Sequence, residues 1–358
     1  MAQRFDTAAL ALAGQPVAIA QQVGSTVAAN SLLAFFSAST DVLAFRTGTS
    51  ALSTPVWIDR SGRELTSISA EPLETPHHPQ VSPDGRQLAL IVGGDLWVYD
   101  VRGRPPIKLT FGGGAETPLW TRDGRRLVYE TTGASVLAMS GSQKTEAITG
   151  SILAIPSDGS VSVPDLILAG GHFHPHAWSD NGRELLLTRF PAGAGGTGAS
   201  ADIVKFAIGA GTSPQAVVET PAFEGLTGVA MSPDGRWLAY TSNVTGRSEV
   251  WVRAYPGPGA PVRVSPAGGA YPVWARDGRE LYYVEGTVLK AVPVESGTEF
   301  NFKPPVQLFN VAGRFMVTAQ PPLYDVAPDG RFVFMRAPTT QTDAPMTIVL
   351  NWIEGLAD

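Results

Sequence analysis

The chain predicts an all-β fold, a β-propeller of four-stranded antiparallel blades, and three observations carry the prediction. A short turn phrase returns six times along the 358 residues. Each copy is preceded by a Pro-containing, often aromatic run and followed by an apolar strand. Helical periodicity is absent throughout.

The turn copies are Ser82-Pro83-Asp84-Gly85-Arg86, Arg122-Asp123-Gly124-Arg125, Asp180-Asn181-Gly182-Arg183, Ser232-Pro233-Asp234-Gly235-Arg236, Arg276-Asp277-Gly278-Arg279 and Pro328-Asp329-Gly330-Arg331. Proline presets φ, Asp accepts hydrogen bonds from its own backbone, and Gly takes the positive φ that reverses the chain. Before the turns stand His78-Pro79-Gln80-Val81, Thr117-Pro118-Leu119-Trp120 and Tyr271-Pro272-Val273-Trp274. After them come Gln87–Ile91, Arg126–Tyr129, Trp237–Tyr240 and Glu280–Tyr283, then period-2 strands such as Asp95–Tyr99 and Glu249–Arg253, and fourth strands near Ile107 and Val262. From Asp84 to Asp329 the turns recur about every 49 residues, slightly above the roughly 40–45 of a four-stranded blade, the excess lying in insertions.

One propeller domain over residues 1–358 is expected, with seven blades, six or eight being the alternatives. The expected blades are 31–70, 71–116, 117–170, 171–224, 225–268 and 269–312, with a final partial blade at 313–358. Strands in 1–30, Ala2–Phe5 and Pro16–Ile19, are expected to complete that last blade, because ring closure removes exposed sheet edges.

Composition narrows the function. Hydrophobic residues make up 44% of the chain, enough for a large core, and the formal charge is −6 from 32 acids against 26 Lys and Arg. Without a basic stripe, nucleic-acid binding is not expected. No cysteine is present, which removes disulfide and thiol chemistry. Residues Ala8–Ala20 are interrupted by Gly14 and Pro16, so neither a secretory leader nor membrane insertion is expected. A monomer that meets a protein or small ligand at its channel face is the expected behaviour.

The turn phrases resemble the TolB-like, or WD40-like (PD40), propeller repeats of bacteria. Further stretches are similar to the propeller that follows the kinase domain of large bacterial Ser/Thr protein kinases: Val56-Trp57-Ile58-Asp59-Arg60-Ser61-Gly62-Arg63, Trp237–Asn243, Glu249–Pro256 and Val349-Leu350-Asn351-Trp352. This resemblance covers essentially the whole chain. It implies a sensor or scaffold module held outside the cell membrane, and a start upstream of Met1 in the kinase proteins.

Catalytic motifs are missing. There is no His-Arg-Asp loop, no Asp-Phe-Gly and no Gly-x-Ser-x-Gly elbow. Gly193–Gly198 imitates a phosphate loop but lacks the following Lys and helix, and reads as an insertion. Chemistry is suspected only at the five histidines: His77 and His78, then His172, His174 and His176, each group expected just before the first strand of its blade, where the chain enters near the central channel. Alternate positions on a strand point one way, so the second group could present neighbouring imidazoles to Zn or Mn, an arrangement resembling that of oligogalacturonate lyases in outline. The reading preferred from sequence is that these residues cap a channel mouth, with no cofactor, no catalytic residue and a non-catalytic binding role. A metal-dependent polysaccharide lyase or hydrolase is the alternative.

Trp97, Trp120, Trp178, Trp237, Trp251 and Trp274 recur at matching places and read as packing between blades. Ala134–Gly150, Pro191–Ser200 and Phe315–Pro322 are insertions on which recognition could be built.

Overall fold

The computed structural model describes residues 2–6, 8–17, 19, 25–28, 31–34, 36–39, 41–46, 52–131, 150–179, 182–191, 200–210, 213–295, 297–315, 323–337 and 346–353. It contains strands and turns, and among the described residues no helix is long and apolar enough to cross a membrane. Most of the loops Ala134–Gly150, Pro191–Ser200 and Phe315–Pro322, the Gly193–Gly198 run, and Asp180 and Asn181 of the third turn lie outside the described residues.

The chain divides into two compact units, Ser53–Ala337 and a second made of Met1–Leu52 with Pro338–Asp358, in place of the single domain expected.

Within Ser53–Ala337 the sheets form blades in chain order. Blade one is His77–Val81, Gln87–Val92, Asp95–Asp100 and Ile107–Lys108. Blade two is Ala115–Trp120, Arg126–Thr131, Ser151–Pro156 and Asp165–Ala169. Blade three is His172–Trp178, Glu184–Phe190, Asp202–Ala207 and Gln215–Val218. Blade four is Glu224–Met231, Trp237–Ser242, Glu249–Ala254 and Val262–Arg263. Blade five is Ala270–Trp274, Glu280–Glu285, Val288–Glu295 and Val306–Asn310, with Asn301–Phe302 also on its third strand. Blade six takes Tyr324–Val326 and Phe332–Arg336 from the end of the unit and Leu52–Ile58 and Glu64–Ser67 from its start. Each innermost strand packs on the next, and Tyr324–Val326 packs on His77–Val81, so the ring closes with six blades among the described residues.

This corrects the expected seven blades and the expected closure by residues 1–30. Ser53–Ile58 is buried along its length, and Phe332–Met335 likewise. Strands without a solvent face belong inside a sheet, and these two pair directly, Val56 opposite Phe334 and Ile58 opposite Phe332. Among the described residues, 31–70 therefore form no blade of their own. Ala2–Asp6 instead pairs with Ala11–Val17 as a hairpin. Met346–Leu350, assigned from sequence to the last blade, pairs with Val42–Arg46, which also carries Phe36–Ala38. Its Met346, Ile348 and Leu350 are exposed.

The turn phrase has two jobs. Locally, the Ser82 hydroxyl donates to Asp84 Oδ1 at 2.6 Å, which also accepts from the Arg86 N–H at 3.0 Å. Around the ring, several turns lean on the preceding one: a Cβ on Gly85 would lie 2.9 Å from Pro328, and those on Gly124 and Gly278 would meet Pro83 and Pro233 at 3.6 and 3.7 Å. The buried tryptophans link blades as well. Trp120 Nε1 donates to Gln80 O at 2.9 Å, Trp178 Nε1 to Trp120 O at 2.8 Å, and Trp274 Nε1 to Ala230 O at 3.2 Å, each reaching the preceding blade.

Candidate functional site

In blades one, two and five the innermost strand carries a bulge at the residue that precedes its proline. Register shifts occur between His77 and Gln80, Glu116 and Leu119, and Ala270 and Val273. His78, Thr117 and Tyr271 take positive φ there, at 53°, 45° and 58°. Non-glycine residues pay for such a conformation with strain and are held in it by their surroundings. At the start of these strands the histidines of blades one and three stand around two glutamates of blade two.

Glu116 and Glu130 are cross-strand partners in blade two. On one side of them, His77 Nε2 lies 3.1 Å and His78 Nδ1 3.2 Å from the same Glu116 oxygen, Oε2. His77 Nδ1 is 2.8 Å from Thr75 O. With a carbonyl on one ring nitrogen and a carboxylate on the other, His77 is satisfied as the imidazolium, donating from both. Burial works against its charge, but the hydrogen bond and charge of Glu116 and the Thr75 carbonyl raise its pKa overall. Burial likewise pushes Glu116 up, and the two histidines outweigh it, holding that carboxyl well below its ordinary range. Burial lowers the pKa of His78. With His78 neutral, the His77 charge is the one that holds Glu116 ionised.

On the other side, His174 Nε2 lies 3.4 Å from Glu130 Oε2 and His172 Nε2 lies 3.7 Å from Oε1, while the two imidazole nitrogens stand 3.1 Å apart. Glu130 is fully buried, and neither of its oxygens has a hydrogen-bond partner of good geometry among the described residues. Burial, then the Glu116 charge, push its pKa well up, with the Phe173 N–H opposing. Burial drives His174 well down, helped by His176, His172 and His78. Phe190 flanks both rings, stacked on His172 at 4.4 Å and tilted against His174 at 4.7 Å. His172 keeps a 42% exposed side chain and opens the group to solvent.

His176 departs from the expected trio. The register shift between Pro175 and Ala177 separates it from the other two, and its Nε2 meets Thr188 Oγ1 at 2.9 Å. Burial lowers its pKa to about 3. It faces the central channel, a cavity of about 370 Å3 on the side of the turns, bordered also by Gln80, Thr117, Arg122 and Tyr271. Arg276 and Asp325 border it too and brace the ring: Asp325 Oδ2 accepts from the Val81 N–H at 2.7 Å and from Arg276 Nη2 at 3.1 Å.

The histidines therefore sit within innermost strands rather than ahead of them, and the two groups meet through blade two. Sequence reasoning missed both glutamates. The available signal was position: Glu116 stands immediately before Thr117-Pro118 as His77 stands before His78-Pro79.

No family model matches the chain, and no curated protein matches it. Solved structures do. A structure described as TolB from Agrobacterium tumefaciens aligns with a TM-score of 0.57 at 20% identity, over 80% of this chain and 99% of that one. TolB from Acinetobacter baumannii gives 0.51 at 14%, over 74% and 68%. An oligogalacturonate lyase in complex with manganese gives 0.52 at 12%, over 85% and 96%. The fold is that of a TolB-like β-propeller. The same architecture serves proteins of different function, so the site must decide what this one does.

Proposed function

We propose that this TolB-like propeller is a recognition module whose partner, a protein segment or a small ligand, enters the central channel from the turn face. The channel cavity carries this reading. Its walls come from the innermost strands, half-buried His176 lines it, and Arg122 at its border suits a ligand bearing a negative group. The interlocked turns and the Trp clamps supply the stiffness that a binding surface needs.

The finer reading is a sensor or scaffold acting as a monomer outside the cytoplasm, as part of a receptor kinase, supported by the repeat resemblance. It predicts that the reading frame continues upstream of the Met1 codon through a membrane helix into kinase motifs. An in-frame stop close upstream would sink it.

The channel itself is tested by screening peptides and small anions for thermal stabilisation, with wild type and Arg122→Glu in parallel. Ligands that stabilise the wild type should lose at least about tenfold in affinity on charge reversal, about 1.4 kcal/mol. Ligands indifferent to Arg122→Glu would place recognition elsewhere. One observation favours a second reading, a metal-dependent lyase: the Glu130 group stands in a fold also used by an oligogalacturonate lyase solved with manganese.

A further inference from the structure

We infer that Glu130, His172 and His174 form a three-ligand site for one divalent transition-metal ion, best matched by Zn2+, set where blade two meets blade three.

Three observations carry this, each independent of the channel reading. The first is geometric. A tetrahedral Zn2+ with bonds of about 2.0–2.1 Å keeps its ligand atoms about 3.4 Å apart. His172 Nε2 and His174 Nε2 are 3.1 Å apart and lie 3.7 Å from Glu130 Oε1 and 3.4 Å from Glu130 Oε2 respectively, and one ligand atom of each residue lies within 4.8 Å of the others, close to the spacing that one shared ion requires. The second is the buried carboxyl. Both Glu130 oxygens are buried and, among the described residues, lack a hydrogen bond of good geometry, with only the Phe173 N–H offsetting the burial, a costly state that a cation would relieve. The third is the facing of two imidazole nitrogens. At most one can donate to the other, whereas both lone pairs can bind an ion.

The neighbouring group of His77, His78 and Glu116 also brings three ligating residues together. It is the weaker candidate because Glu116 already has His77 as its hydrogen-bond partner, and the His78 Nδ1 that faces it accepts from the Thr117 N–H at 3.3 Å.

Two imidazoles and a carboxylate are a donor set used by zinc when a fourth position is kept for water or substrate. The described residues supply a group of three, and His172 faces solvent. Phe190 holds the two rings from the side. The second strands of blades two and three end at this group, at Thr131 and Phe190, where the two long insertions leave.

The test uses the whole chain, stripped with a chelator, dialysed and then titrated with Zn2+ alone. Metal content and calorimetry should report one ion per chain, and the bound form should melt higher. His172→Gln, at the exposed ligand, and His174→Gln should each weaken uptake by at least about a hundredfold. His77→Gln should leave the stoichiometry at one. Co2+ in place of Zn2+ should give the visible absorption of a tetrahedral N/O site, lost in His172→Gln, which reports the site even if His174→Gln folds poorly. Sub-stoichiometric Zn2+ uptake by the wild type, uptake indifferent to His172→Gln, or loss of uptake in His77→Gln would each overturn the assignment.

Discussion

Where blades one and two meet, His77 and His78 close on one oxygen of Glu116 at 3.1 and 3.2 Å. Where blades two and three meet, His174 and His172 stand 3.4 and 3.7 Å from separate oxygens of Glu130. The residue types are the same and the glutamates are cross-strand neighbours, yet Glu116 is closed by His77, whose second nitrogen meets the Thr75 carbonyl, while both oxygens of Glu130 lack a hydrogen bond of good geometry and in the first group only His78 Nε2 is left over. Two adjacent carboxylates in a dry wall cannot both be ionised cheaply. Glu116 has an imidazolium beside it and takes the charge. Glu130, deeper and next to that charge, is driven toward the neutral form and is left without a hydrogen bond of good geometry. A carboxylate closed by an imidazolium is structural, while one with the same neighbours but without that closure can serve as a cation ligand.

The largest expected effect comes from breaking the closed group. Glu116→Leu leaves the His77 imidazolium without its counter-charge. It should cost about 3 kcal/mol, the low end for buried pairs, since a quarter of each side chain remains exposed. Urea unfolding measures it, and a cost near zero would mean the pair is not closed in solution. Next comes Gly150→Ala. Gly150 has φ of 75°, and a Cβ there would fall 1.9 Å from the Gly171 carbonyl oxygen, just ahead of His172. Backbone cannot yield as a side chain can, so a loss of about 1–3 kcal/mol is expected, together with weaker Zn2+ uptake. An unchanged unfolding midpoint would show the two strand ends to be free to separate.

Glu130→Met should act with the opposite sign. In the metal-free chain it removes a buried carboxyl that lacks a hydrogen bond of good geometry and fills the same space, for a gain of about 1 kcal/mol. With Zn2+ present the order should reverse, because only the wild type gains stability from binding. Melting both proteins with and without the ion tests this, and a loss in the metal-free variant would mean that Glu130 is well hydrogen-bonded.

What could be read beforehand follows the range of the interactions. The Ser-Pro-Asp-Gly-Arg turns were legible because Pro, Asp and Gly act within five residues. The Trp clamps were legible because they recur. Ring closure was not, since the Ser53 hydroxyl reaches the Arg336 carbonyl across 283 positions and no local pattern encodes such a pairing. The alternation of His172, His174 and His176 promised three donors on one side, and the bulge at Pro175 diverted the third into the channel. Glu130 was invisible for a related reason. It follows the apolar run Leu127-Val128-Tyr129, and only the register places it opposite Glu116, at a position held by Thr188 in blade three and Ile91 in blade one.

The smallest effect separates the two groups by pH. His77 has a raised pKa in the folded chain, so its stabilising contribution is complete below the ordinary value of 6.5 and fades as pH rises through the folded value. Glu116, depressed, contributes above the ordinary carboxylate value of 4.5 and loses that contribution only in stronger acid. The pair is therefore strongest between those limits. His174 and His176 run the other way. Their pKa values are lowered, so they resist protonation in the fold and cost stability as pH falls below 6.5. Wild-type stability alone mixes the two trends, and His77→Gln separates them. The gap between wild type and His77→Gln should be wide near about pH 5.5 and should narrow by about pH 8.5, where free imidazole is neutral. Denaturant midpoints at the two pH values measure it. A gap that holds constant or widens with pH would mean that His77 is neutral in the fold, and that the closed group owes its closure to neutral hydrogen bonds instead of charge.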